Sequence, residues 1–249
     1  MTSLSSLRRI HRDLFLVAAV LLVMAALTSS AFAFGNEECR KPTPEEKAAV
    51  DKLVGVLKQE IITPLLASQW LVAGQKSAEN MEVTVANGPV PPRPLMDCTT
   101  LFDYRLGADP NSKHGQEYQA AMKNFTAQNM KEVLPLMASA QVHIRVGENN
   151  PTLAVPHVEQ YKPLDVQGPA VAYQIPDKDA NVATVLCYGG FKRELTFSKQ
   201  STRVMYPFVH KQGTPFIENF CVNIRTSQTV TDEILKLVNW EKLKLGLTP

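Results

Sequence analysis

Residues 216–225 read Phe216-Ile217-Glu218-Asn219-Phe220-Cys221-Val222-Asn223-Ile224-Arg225. Phe216, Phe220, Val222 and Ile224 fall on one parity, and Asn219, Cys221, Asn223 and Arg225 on the other. A period of two is the mark of a strand with one face in a core and one face turned away from it. Cys221 therefore points away from the core stripe.

The same texture runs upstream as far as Gln141. Short runs rich in β-branched and aromatic residues at 142–146, 170–175, 182–188, 194–197 and 204–209 are separated by turn clusters such as Gly147-Glu148-Asn149-Asn150-Pro151 and Pro176-Asp177-Lys178-Asp179. Strands at this spacing predict a mainly antiparallel sheet. Gly189-Gly190 reads as a further turn, since no Gly-Lys-Ser/Thr follows to make a phosphate loop. After the last strand, Thr229 and Asp232 can cap a short C-terminal helix that packs through Ile234, Leu237 and Val238.

Upstream of residue 141 the pattern is helical. Thr43-Pro44-Glu45-Glu46 is a helix start: Thr43 caps, Pro44 is tolerated at the first helical position, and Glu46 completes a capping box. Val50, Leu53, Val54, Leu57 and Ile61 form one helical stripe. Pro64 kinks or ends this helix, and residues 65–78 read as a second one. Residues 87–94, rich in proline, are an extended connector. Residues 114–140 read as a long helix whose stripe changes phase around Thr126 and Asn129. Met122, Met130 and Met137 take core positions in it. Asn124-Phe125-Thr126 is a glycosylation sequon set in mid-helix, a poor acceptor position. The fold class is α+β, with N-terminal helices packed on a mainly antiparallel C-terminal β-sheet and a short C-terminal helix.

The first 33 residues read as a secretory signal. Arg8, Arg9 and Arg12 precede an apolar run at 14–27, and Ala31-Phe32-Ala33 presents small residues at the positions signal peptidase requires. The run is shorter than the ~20 residues that span a bilayer. The alternative is an uncleaved signal anchor that tethers the protein to a membrane. Cleavage divides the chain into a signal peptide (1–33), a mainly helical half (34–140) and a mainly β half with the C-terminal helix (141–249), the two halves forming one compact domain. The product is secreted or periplasmic, with no membrane association after cleavage.

Losing residues 1–33 removes three arginines and Asp13, leaving 23 of 26 basic and 23 of 24 acidic residues, so the formal charge of +2 becomes zero. A neutral chain without a long basic run lacks the electrostatic term that nucleic-acid binding needs.

Cys39, Cys98, Cys187 and Cys221 are dispersed, with no Cys-x-x-Cys pair. In an oxidising compartment four such cysteines form two disulfides. Three connectivities are open. Cys39 with Cys98 and Cys187 with Cys221 is favoured because each bridge then ties segments of one half, and each would contribute about 4 kcal/mol in the chain-entropy model.

Past the signal the histidines are His114, His143, His157 and His210. His143 and Arg145 share a strand face, as do His157 and Glu159 if that segment is extended, and each pair has the chemistry to hold an anion or a metal. The chain lacks His-x-His, His-Glu-x-x-His and Gly-x-Ser-x-Gly, so no metal or cofactor is expected.

Three functions fit. The first is a non-enzymatic binding or interaction module, with an apolar small molecule or a protein partner held on a sheet face or in the groove between helices and sheet. The aromatics Tyr173, Tyr188, Phe191, Tyr206, Phe208 and Phe216 would serve it. The second is a structural, envelope-associated component with a large exposed apolar patch. The third is a hydrolase whose site is assembled from His143, His157, His210 and nearby acids.

Overall fold

The computed structural model describes residues 37–76, 83–86, 101–149, 152–156, 162–177, 180–197, 201–205, 208–209 and 215–248. The signal segment, the proline-rich connector, Cys98, His157, Glu159, His210 and Tyr206 lie outside the described residues. The chain divides into two compact units, Met1–Glu38 with Ala86–Val90, and Cys39–Val85 with Pro91–Pro249. The second unit holds the helices and the main sheet.

Thr43 caps helix α1 (Pro44–Leu57) in the expected capping box. The Thr43 side chain accepts from the Glu46 N–H, and Glu46 accepts from the Thr43 N–H at 2.8 Å. Glu46 is buried, and its two carboxylate oxygens each accept from Arg40 at 2.7 Å. That guanidinium holds the Glu46 carboxyl below its ordinary range, against the upward push of burial, and the same bond raises Arg40. Helix α1 runs into a π turn (Lys58–Ile62) and then α2 (Thr63–Ala67). Pro64 has no N–H to give the helical ladder, and the widened turn just before it absorbs the loss without breaking the rod.

The rod stops at Gln69, which takes a left-handed backbone (φ 65°), and Trp70 opens a strand. A second helix over 65–78 is therefore not formed. Its place is taken by β2 (Trp70–Lys76), because pairing with a partner strand outweighs local helix preference. The half 34–140 also holds β1 (Glu37–Arg40), β3 (Val83–Ala86) and β4 (Phe102–Ala108). β1 and β3 make a separate two-stranded sheet.

The predicted long helix over 114–140 is two helices, α3 (Lys113–Lys123) and α4 (Met130–Ser139), joined by a 3-10 turn at Ala127–Asn129. The Thr126 N–H donates to Asn129 Oδ1 at 2.8 Å, a local bond that competes with the helix ladder where the apolar stripe changes phase. Met122 and Met130 are exposed, not core, and Asn124 lies at the exposed end of α3 rather than in mid-helix.

The remaining strands are β5 (Gln141–Glu148), β6 (Thr152–Pro156), β7 (Lys162–Pro163), β8 (Val171–Pro176), β9 (Asn181–Tyr188), β10 (Lys192–Phe197), β11 (Ser201–Met205) and β12 (Phe220–Ser227), followed by α5 (Gln228–Leu237) and a 3-10 helix (Trp240–Gly246). The main sheet has seven strands in the order β2-β4-β5-β12-β9-β8-β7, every pair antiparallel. A three-stranded sheet has the order β10-β11-β6. The molecule is α+β as expected, although two strands of its main sheet come from the half read as helical.

One face of the main sheet carries Phe102, Tyr104, Leu106, Ile144, Val146, Leu186, Tyr188, Phe220, Val222 and Ile224. They form one core with Val50, Leu53 and Leu57 of α1, Ile61 of the π turn, Leu65 of α2, Val230 and Ile234 of α5, and Trp240 and Leu243 of the 3-10 helix. Tyr188 stacks on Phe220 at 4.8 Å and its hydroxyl donates to the Trp240 carbonyl at 3.0 Å. Burial raises that phenol, which keeps it a donor. Helix α5 is capped by Ser227, whose side chain accepts from the Val230 N–H, rather than by Thr229, and Leu237 faces solvent. Gly189 turns the chain with φ 113°, and a Cβ there would come within 2.5 Å of the Glu218 carbonyl oxygen.

On the opposite face Cys187 and Cys221 sit directly across from each other and are bridged, with Cα atoms 4.1 Å apart. Val171, Tyr173 and Val185 pack around the bridge. Burial pushes the Tyr173 phenol up to about 12. The bridge lies on the sheet's second face, whereas the C-terminal helix packs on the first face through Val230 and Ile234.

Replacing Cys187 and Cys221 by serine is expected to cost about 4 kcal/mol for a separation of 34 residues, read as a lower urea midpoint under oxidising conditions. Because the Glu46 carboxyl is lowered in the folded chain, its contribution to stability is present above the ordinary glutamate range. It is lost as pH falls through the folded value. Glu46→Gln should therefore lower stability near neutrality and flatten its decline in acid, measured by urea unfolding across a pH series.

Candidate ligand-binding site

The second face of the sheet is polar at its β4-β5-β12 end. In each strand the residues between the core positions point there by alternation: Asp103 and Arg105 from β4, His143 and Arg145 from β5, Asn223 and Arg225 from β12. Register sets them in two rows. Arg105, His143 and Arg225 lie across from one another, as do Asp103, Arg145 and Asn223.

His143 and Arg145 thus share a face as expected, and Asp103 joins them. The Nε2 of His143 lies 2.9 Å from Asp103 Oδ1, and Arg145 Nε lies 3.5 Å from Asp103 Oδ2. Asp103 is buried, whereas the Arg145 side chain is 54% exposed. One carboxylate therefore anchors both partners, on the diagonal with His143 and directly opposite Arg145. Arg225 Nε reaches Asp177 Oδ2 at 3.5 Å. Arg105 has no ion-pair partner among the described residues.

Helices α3 and α4 lie beside this end of the sheet and enclose a cavity of about 820 Å³ with it. Tyr118 of α3 and Leu134 and Met137 of α4 line one side. Ala73, Gly107 and Ala108 line the β2-β4 margin, and Arg105, His143, Arg225, Asp177, Gln141 and Asn181 provide the polar wall. Helix α4 is held against β12 by Ser139 Oγ donating to Ser227 Oγ at 2.8 Å, and by the buried Thr226 hydroxyl donating to the Ala138 carbonyl at 3.1 Å.

Of the aromatics expected to serve a ligand, Tyr188 is in the core, Tyr173 and Phe191 pack around the disulfide, and Phe208 and Phe216 are half-buried elsewhere. None of these lines the cavity. The apolar contribution comes instead from Tyr118, Leu134 and Met137, which the sequence offers only as a helix stripe. The sequence signal for β4 is present in the alternation of Phe102, Tyr104 and Leu106 with Asp103 and Arg105.

His114 lies elsewhere, at the start of α3, with Nε2 2.9 Å from Glu233 of α5 and its ring 6.0 Å from Trp70. It lines a separate cavity of about 320 Å³, so the two described histidines past the signal do not converge. Among the described residues lining the larger cavity there is no serine, threonine or cysteine to act as a nucleophile beside His143. Among the described residues no group of three or more His, Cys, Asp or Glu side chains is placed to hold a metal ion, and no helix is long and apolar enough to cross a membrane.

Asp103→Ala leaves two neighbours without their shared carboxylate and is expected to lower stability by about 2 kcal/mol, against less than about 1 kcal/mol for the exposed Arg145→Ala, both measured by urea unfolding.

Compared with known proteins, the chain matches no family, no curated protein and no solved structure, so its geometry alone carries the functional argument.

Proposed function

We propose that this protein is an exported, disulfide-stabilised binding module that holds a small ligand with an apolar body in the groove between α3, α4 and the second face of the main sheet. The cavity of about 820 Å³ carries this reading. Its volume falls within the ~300–1,000 Å³ typical of small-molecule sites, and it combines an apolar side with a few placed polar groups. The bridge between Cys187 and Cys221 supports an oxidising compartment, as does the signal-like pattern of the first 33 residues.

The groove has one wall on a rigid, hydrogen-bonded sheet and the other on two helices joined by a short turn. This is a preorganised surface that asks little ordering of the protein when a ligand enters.

The test is titration with the neutral dye N-phenyl-1-naphthylamine, whose fluorescence rises in an apolar site. Saturable binding at one site is expected. Leu134→Trp and Met137→Trp, which fill the groove from α4, should abolish it while leaving the thermal midpoint within a few degrees of the parent. Absence of saturable binding, or binding that survives both substitutions, would overturn the proposal.

A further inference from the structure

We infer that the ligand is a monoanion, a carboxylate-bearing amphiphile whose headgroup is held by Arg105 and Arg225 across His143. This assignment rests on the binding function proposed above and gives it a substrate class.

Arg105, His143 and Arg225 stand on three neighbouring strands at the same level, all on the face that bounds the cavity. The outer two backbones are about 10 Å apart at the usual strand spacing, so both guanidinium groups can converge on a single headgroup above the histidine. Arginine suits this role because its planar fork matches a carboxylate.

Charge then selects the class. Two arginines line the cavity against one aspartate, Asp177, and the neighbouring Asp103 is offset by Arg145. Among the described residues the guanidinium and carboxylate groups lining the cavity leave one positive charge in excess. A monoanion neutralises it, a dianionic phosphate monoester overcompensates it, and a neutral headgroup leaves Arg105 without a carboxylate partner among the described residues. The cationic row borders the apolar side formed by Leu134 and Met137, so head and body of one amphiphile can be satisfied together.

The experiment is displacement of bound N-phenyl-1-naphthylamine by dodecanoate, dodecan-1-ol and dodecyl phosphate, each kept below its micelle concentration. Dodecanoate is expected to displace the dye at roughly tenfold lower concentration than the alcohol, the scale of one charge-assisted contact, and ahead of the phosphate. Arg105→Gln and Arg225→Gln should each narrow that gap by weakening displacement by the acid, and the double variant should close it. Both side chains reach solvent, so the thermal midpoint reports whether the variants fold as the parent does. Equal potency of acid and alcohol in the parent, preference for the phosphate, or a preference for acid that survives the double variant would overturn the headgroup assignment and leave the apolar groove standing. Failure of the dye to bind would remove the groove and the headgroup together.

Discussion

Strand β12 occupies the centre of the seven-stranded sheet, between β5 and β9, and the alternation of its eight residues divides the molecule. Phe220, Val222 and Ile224 enter the helical layer, while Cys221, Asn223 and Arg225 go to the other side. A slip of one residue would exchange the two sets, driving an arginine and an asparagine into the core and exposing three large apolar side chains. Register is therefore fixed by burial, and the same register sets Cys221 opposite Cys187 and Arg225 opposite His143.

The two faces solve different problems. The first is sealed by α1, α5 and the C-terminal 3-10 helix, and there the buried Tyr188 hydroxyl is satisfied by its bond to the Trp240 carbonyl. The second is uneven. Near β8 and β9 it is closed by a small cluster around the disulfide, and near β4 and β5 it carries charges that remain close to solvent. Charge sits where α3 and α4 stand over the sheet and leave a cavity. A groove with an apolar side and a cationic row follows from the same alternation that builds the core.

Much of this was legible because the deciding forces are local. The capping box of Thr43 and Glu46 lies within four residues, and the strands near 142–146, 182–188 and 220–224 declare themselves by period and by turn residues at their ends. The pair His143 and Arg145 was visible as two residues of one strand face. Other elements were hidden for physical reasons. In β2 the register shifts between Val72 and Gly74, which breaks the alternation that would mark a strand, and its stability comes from pairing with β4. Met122 and Met130 fit a helical stripe on paper, yet the break between α3 and α4 turns them to solvent.

Spacing along a few residues is enough to specify the α+β class, the two-faced character of the sheet, the first helix and its cap, and the parity that puts Cys221 off the core face. Tertiary structure decided that Asp103 meets His143 and Arg145, that Arg105 joins the row from the half read as mainly helical, and that α5 covers the face opposite the disulfide. Those contacts join residues tens of positions apart, and strand order and helix placement are chosen by total burial over the whole sheet, which no local pattern encodes.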